Sequence, residues 1–96
     1  MLATIVGHVG DGNYHLFVVV DPTKKEEMEK IKEMHEKLVI NAINLEGTCT
    51  GEHGIGMGKR KFLLIEKSSE TIELMKQIKQ TLDPKGLLNQ GKIFVD

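Results

Sequence analysis

Two histidines flank a short glycine-rich turn: His8 and His15 stand on either side of Gly10-Asp11-Gly12-Asn13. An Asp-Gly pair between runs of β-branched residues signals a two-residue hairpin turn. With Asp11 and Gly12 as that turn, counting outward sets Gly10 against Asn13, Val9 against Tyr14 and His8 against His15. Opposed side chains of an antiparallel pair have Cβ atoms about 4.5–5.5 Å apart. Two imidazoles so held can converge on one cation, or simply form a cross-strand aromatic pair. The metal reading needs a third ligand. Residues 47–61 offer one, in a stretch where glycine stands at 47, 51, 54, 56 and 58. There Glu52 and His53 are neighbours, and the flanking glycines let the backbone approach another group closely. Such a pair suits a carboxylate on a metal beside an imidazole acting as acid or base. The competing reading is a flexible loop with both side chains solvated.

The same loop fails as a phosphate cradle. A P-loop needs glycine where His53 stands and Ser or Thr where Arg60 stands; the dinucleotide fingerprint needs glycine where Lys59 stands. Cys49 has no base fixed beside it and reads as a small buried core residue. His35 reads as a packed or boundary histidine. Lys59 and Arg60 read as a solvated helix start or an anion contact, and Tyr14 stays ambiguous.

Positioning these groups falls to a few elements. Residues 2–9 and 14–20 predict the strands of the hairpin, with Val6 and Phe17 on the histidine face and Ala3, Ile5, Val18 and Val20 on the other. A hairpin apolar on both faces needs cover on both. Asp21-Pro22 predicts a helix start, with Asp as cap and Pro in the first turn. The stripe Met28, Ile31, Met34/His35, Leu38, Ala42, Leu45 carries that helix to a stop at Gly47. A second helix is predicted from Ser68 or Ser69 through Ile72, Met75, Ile78/Lys79 and Leu82 to Asp83-Pro84. Met28, Met34 and Met75 read as core. A third strand has candidates near residues 48–50 or 92–95. The class is α+β, and it is short of sheet: the chain is expected to start inside a larger protein, with Met1 an artefact of the cut. The alternative is a small domain that dimerises through its edge strand.

Composition narrows the rest. The 96 residues carry 13 basic and 14 acidic groups, a net charge of −1, so nothing favours nucleic acid or an anionic membrane surface. One cysteine excludes an internal disulfide and a cysteine-rich zinc site. No apolar run is long enough for a transmembrane segment, and no secretory signal opens the chain. The expectation is a soluble, cytoplasmic domain, with peripheral membrane association conceivable only for a longer protein.

Three segments together resemble a known family: Gly7-His8-Val9-Gly10-Asp11-Gly12-Asn13-Tyr14-His15, Gly47-Thr48-Cys49-Thr50-Gly51-Glu52-His53-Gly54-Ile55-Gly56, and Leu82-Asp83-Pro84-Lys85-Gly86-Leu87-Leu88-Asn89-Gln90-Gly91-Lys92. In order and spacing they are similar to the C-terminal portion of the FAD-linked 2-hydroxy acid dehydrogenases. That group contains flavin D-lactate dehydrogenases, glycolate oxidase flavin subunits and D-2-hydroxyglutarate dehydrogenases. The second segment looks most like the D-lactate branch. The resemblance implies part of a ferredoxin-like cap domain followed by C-terminal helices, with the FAD-binding domain and the cap's other strands lying upstream. It implies His8, His15 and Glu52 as ligands of zinc or manganese, His53 as catalytic base and Asn89 near the flavin. Gln90 stands where the family usually has proline. Phe17 stands where the 2-hydroxyglutarate enzymes usually have asparagine, which argues against a second substrate carboxylate. The implied partners are a small 2-hydroxy acid, the upstream FAD domain, an electron-acceptor protein or quinone, and further copies in a homo-oligomer. The 96-residue chain alone is expected neither to retain FAD nor to turn over substrate. Two other readings are a stand-alone metal-binding or assembly module without redox activity, and a small metallohydrolase.

Overall fold

A computed structural model describes residues 2–95. The order is β1 (Leu2–Val6), β2 (His15–Val19), α1 (Lys25–Asn44), α2 (Arg60–Glu66) and α3 (Ser69–Leu82). The strands form one two-stranded antiparallel sheet, and with the three helices this is the expected α+β arrangement. Among the described residues neither 48–50 nor 92–95 forms a third strand.

The hairpin register differs from the count. Val6 lies opposite His15 and Thr4 opposite Phe17, so His8 is not the cross-strand partner of His15. The cause is local. The His8 carbonyl accepts from the amides of Asp11, Gly12 and Asn13 at 2.9, 3.0 and 3.3 Å, and Asn13 Oδ1 accepts the His8 N–H at 3.0 Å. Those bonds wind residues 8–13 into a wider loop in place of a tight turn. A Cβ at position 7 would lie 2.3 Å from the Asn13 carbonyl oxygen, so only glycine lets the loop close there. The register moves by two residues, which leaves the paired residues 2–6 and 15–19 on their expected faces while His8 drops out of the strand.

α1 also starts later than Asp21-Pro22 predicts. The Asp21 carboxylate accepts from the Thr23 amide at 3.0 Å and the Thr23 hydroxyl at 2.6 Å, and the Asp21 carbonyl accepts the Lys24 N–H at 3.1 Å. Asp21 therefore caps a turn ahead of the helix. At the far end Glu46 N–H bonds the Ile43 carbonyl and Gly47 N–H the Ala42 carbonyl, the Schellman pattern. The left-handed residue there is Glu46, at φ 66°, while Gly47 is needed because a Cβ would stand 2.8 Å from the Ala42 oxygen.

The buried core is small: Val39, Cys49, Phe62, Leu63 and Ile72. α1 packs on α2, with Val39, Cys49 and Phe62 at the centre and Ile43 and Ile55 around them. Met28, Met34 and Leu45, expected on the core stripe, are exposed, and Met75 is half-buried. The stripe faces a groove of about 650 Å³ between α1 and β2, lined by Tyr14, Phe17, Met34 and Leu38 among others. α2 begins at Arg60, as the reading of Lys59 and Arg60 as a helix start allows, but its extent was not legible because seven residues are too few to show a helical period. α3 follows the expectation, with the Ser68 side chain accepting from the Thr71 amide and Asp83 ending the helix.

Candidate active site

His15, Glu52 and His53 come together although 37 residues separate the first two, each offering a ligand atom within 4.8 Å of the others. His15 is the first residue of β2, and its ring lies on the sheet face that also carries Phe17, 6.1 Å away between centroids. Glu52 and His53 sit on a bend whose exit is Gly54 at φ 84°, a conformation glycine adopts without strain. The Thr50 hydroxyl accepts the Gly54 N–H at 2.9 Å and closes that bend. Gly51 rests against Asn13, where a Cβ would approach Asn13 Cβ to 3.0 Å, so the bend docks on the hairpin loop.

The geometry is that of an acid between two imidazoles. His15 Nε2 is in direct hydrogen-bond contact with Glu52 Oε1, and His53 Nε2 lies 3.9 Å from the same oxygen. The two imidazoles meet edge to face, 5.4 Å apart at 77°. The hydrogen bond from His15 holds the Glu52 carboxyl below its ordinary range; partial burial opposes this, and the charges of His15, His53 and His8 reinforce it. A carboxylate so placed stays ionised at neutral pH and can accept a proton-bearing imidazole or a cation. His53 is 79% exposed, open to a reactant from outside, whereas His15 is 30% exposed.

The other expected residues fall differently. His8 is exposed on the hairpin loop and outside the three-residue group, because its own carbonyl and amide are tied into the turn. Asn89 is exposed in the segment after α3, at φ 48°. That segment is anchored twice, by Asp83 to the Leu87 and Leu88 amides and by Ile93 N–H to the Gly56 carbonyl at 2.7 Å. The second contact joins the tail to the glycine-rich loop. Cys49 is buried as expected, and burial raises its thiol pKa, followed by the effect of Glu66. His35 meets Phe62 edge-on at 5.9 Å.

Lys59 is half-buried, and its Nζ donates to the Cys49 carbonyl at 2.7 Å. Glu66, which the sequence did not single out, accepts the Cys49 N–H at 2.6 Å. The only sequence signal for it is an acid closing the apolar run Phe62-Leu63-Leu64-Ile65.

The family described as FAD linked oxidases, C-terminal domain, matches residues 1–93. The chain belongs to that family. It is 47% identical over 98% of its length to a D-lactate dehydrogenase (cytochrome), mitochondrial, of Saccharomyces cerevisiae, and 42% over 98% to one of Arabidopsis thaliana. It is 42% identical over 92% of its length to a glycolate oxidase subunit of Bacillus subtilis. The chain spans 16%, 17% and 19% of those three proteins. The mitochondrial names of the yeast and plant relatives do not fit the cytoplasmic expectation. No described helix is long and apolar enough to cross a membrane.

Proposed function

We propose that the chain is the C-terminal part of an FAD-dependent dehydrogenase that oxidises a D-2-hydroxy acid, D-lactate or glycolate, to the 2-oxo acid. The observation that carries this is the convergence of His15, Glu52 and His53 on one exposed point beside an apolar groove. Two imidazoles and a carboxylate are a donor set that suits zinc or manganese. Glu52 and His15 would hold the ion, with His8 as the second imidazole that the resemblance implies, so that His53 of the gathered group stays free to act as base. A bound divalent cation supplies Lewis-acid polarisation of the substrate's hydroxyl and carboxylate oxygens. FAD would be held mainly by an upstream domain, with Asn89 near it, and would supply the acceptor for the hydride leaving C2. His53 takes the hydroxyl proton, and the Glu52 carboxylate 3.9 Å away favours the imidazolium that results. An acceptor protein or quinone would be the partner that takes the electrons onward.

Phe17 supports a monocarboxylate substrate: it lines the groove where the resemblance gives the 2-hydroxyglutarate enzymes asparagine. Tyr14, Met34 and Leu38 supply further apolar wall, and Lys59 also lines the groove, keeping its charge and two N–H donors beyond the one given to Cys49.

A second reading of the ligand set has its own support: the structure gathers His53, and not His8, with His15 and Glu52. His53 is then the third ligand and the base lies elsewhere. Transient kinetics of the full-length protein separates the two. With His53 as base, His53→Ala slows flavin reduction by D-lactate about 10²-fold or more, leaving metal content and half-saturation near wild type. A His53→Ala protein that loses its metal, or reduces flavin at the wild-type rate, contradicts the base assignment.

A further inference from the structure

We propose that Glu66 is a positioning residue for the catalytic bend: its carboxylate fixes the entry of the loop that carries Glu52 and His53. The proposal rests on the reading of His53 given above. Glu66 ends α2 with a side chain only 9% exposed. It accepts the Cys49 N–H at 2.6 Å on one oxygen, while its other oxygen lies 3.5 Å from the Lys67 ammonium. An ionised carboxylate can take several donors at once, and burying one is costly unless it does.

From the other side Lys59 Nζ holds the Cys49 carbonyl at 2.7 Å. The Cys49 side chain is packed with Val39 and Phe62. Amide and carbonyl of residue 49 are thus both hydrogen-bonded and its side chain is buried, which makes it the fixed point from which the bend departs. Thr50 then closes the bend onto Gly54, and Gly51 seats it on Asn13. Neither Glu66 nor Lys59 belongs to the His15–Glu52–His53 group. Their role is to hold the backbone that aims it, and small misplacements of such groups are expensive in rate.

The test uses the full-length flavoprotein with Glu66→Ala and Glu66→Gln. Glu66→Ala lowers the limiting rate of flavin reduction by D-lactate about 10- to 100-fold, with half-saturation and flavin content within threefold of wild type. Glu66→Gln, whose amide oxygen still accepts from Cys49 N–H, recovers most of that rate. Hydrogen exchange provides a readout that needs no substrate: in Glu66→Ala the amides of residues 49–54 exchange about tenfold faster or more, with α1 and α3 unchanged. A full rate in Glu66→Ala, unchanged exchange at 49–54, or exchange that rises throughout α1 and α2, overturns the proposal. If wild type fails to reduce its flavin with D-lactate, the substrate reading fails instead, and the exchange comparison still decides the role of Glu66.

Discussion

Asp83 shows how one side chain can organise a segment. Its carboxylate ion-pairs with Lys79 and accepts the Leu87 and Leu88 amides, each at 3.0 Å, while Lys79 also donates to the Leu88 carbonyl at 2.8 Å. The Lys79 hydrogen bond and then the two amides lower its pKa from 3.8 to about 2. A depressed carboxylate contributes stability above its unfolded value, and that contribution is lost as pH falls from about 4 to about 2. Pepsin cleavage at Leu87 and Leu88 should therefore rise across that window in wild type. In Asp83→Asn it should be high throughout; a variant as resistant as wild type at pH 4 contradicts the anchor. The same residue-scale logic applies at the candidate site, where the hydrogen bond from His15 lowers the Glu52 pKa. At this scale residue type was legible: His15, Glu52 and His53 were recognisable as chemistry-bearing groups, and the glycine-rich loop was expected to bring a third ligand to the hairpin. How it does so was not legible, since that depends on the loop docking across the chain through Gly51 and Asn13.

The elements divide by how local their signals are. α3 was legible because its cap, its apolar stripe and its terminating Asp83-Pro84 all lie within or beside the helix. The start of α1 was not, because Asp21 has two ways to satisfy its carboxylate and the Thr23 turn wins. The hairpin failed for a similar reason: Asn13 offers a side-chain acceptor where a tight turn would use backbone. In both places a short polar side chain competes with the regular pattern. The C-terminus of α1 gives a direct check. Glu46 holds a left-handed conformation at φ 66°, which costs a non-glycine residue roughly 1–2 kcal/mol. Glycine removes that strain but loses about 0.5–1 kcal/mol of unfolded-chain entropy. Glu46→Gly should thus stabilise by about 0.5–1 kcal/mol, seen as a higher denaturation midpoint. A lower midpoint would show that the Glu46 side chain contributes more than its backbone costs.

As a whole the molecule is open. Its radius of gyration is 15.9 Å, against about 12.5 Å for a compact chain of this length. Leu2, Ile5, Val6 and Val19 of the sheet are more than half exposed, so the hairpin lacks the cover its apolar faces call for. That shortage was visible in the sequence, where strand-forming residues were too few to close a core over the long helix. His15 lines the groove, and Glu52 and His53 beside it are exposed, so the candidate site is open to a further domain. In the proposed enzyme the flavin-bearing domain is that domain, and the substrate lies between. The claim at the centre of this account is that His15 and Glu52 form a metal site serving a hydroxy acid. Elemental analysis of the full-length protein, wild type beside His15→Ala, tests it most directly. The account predicts about one zinc or manganese per chain in wild type and its loss in the variant. A wild-type protein that binds neither metal when offered both, or a variant that keeps its metal in full, would contradict it.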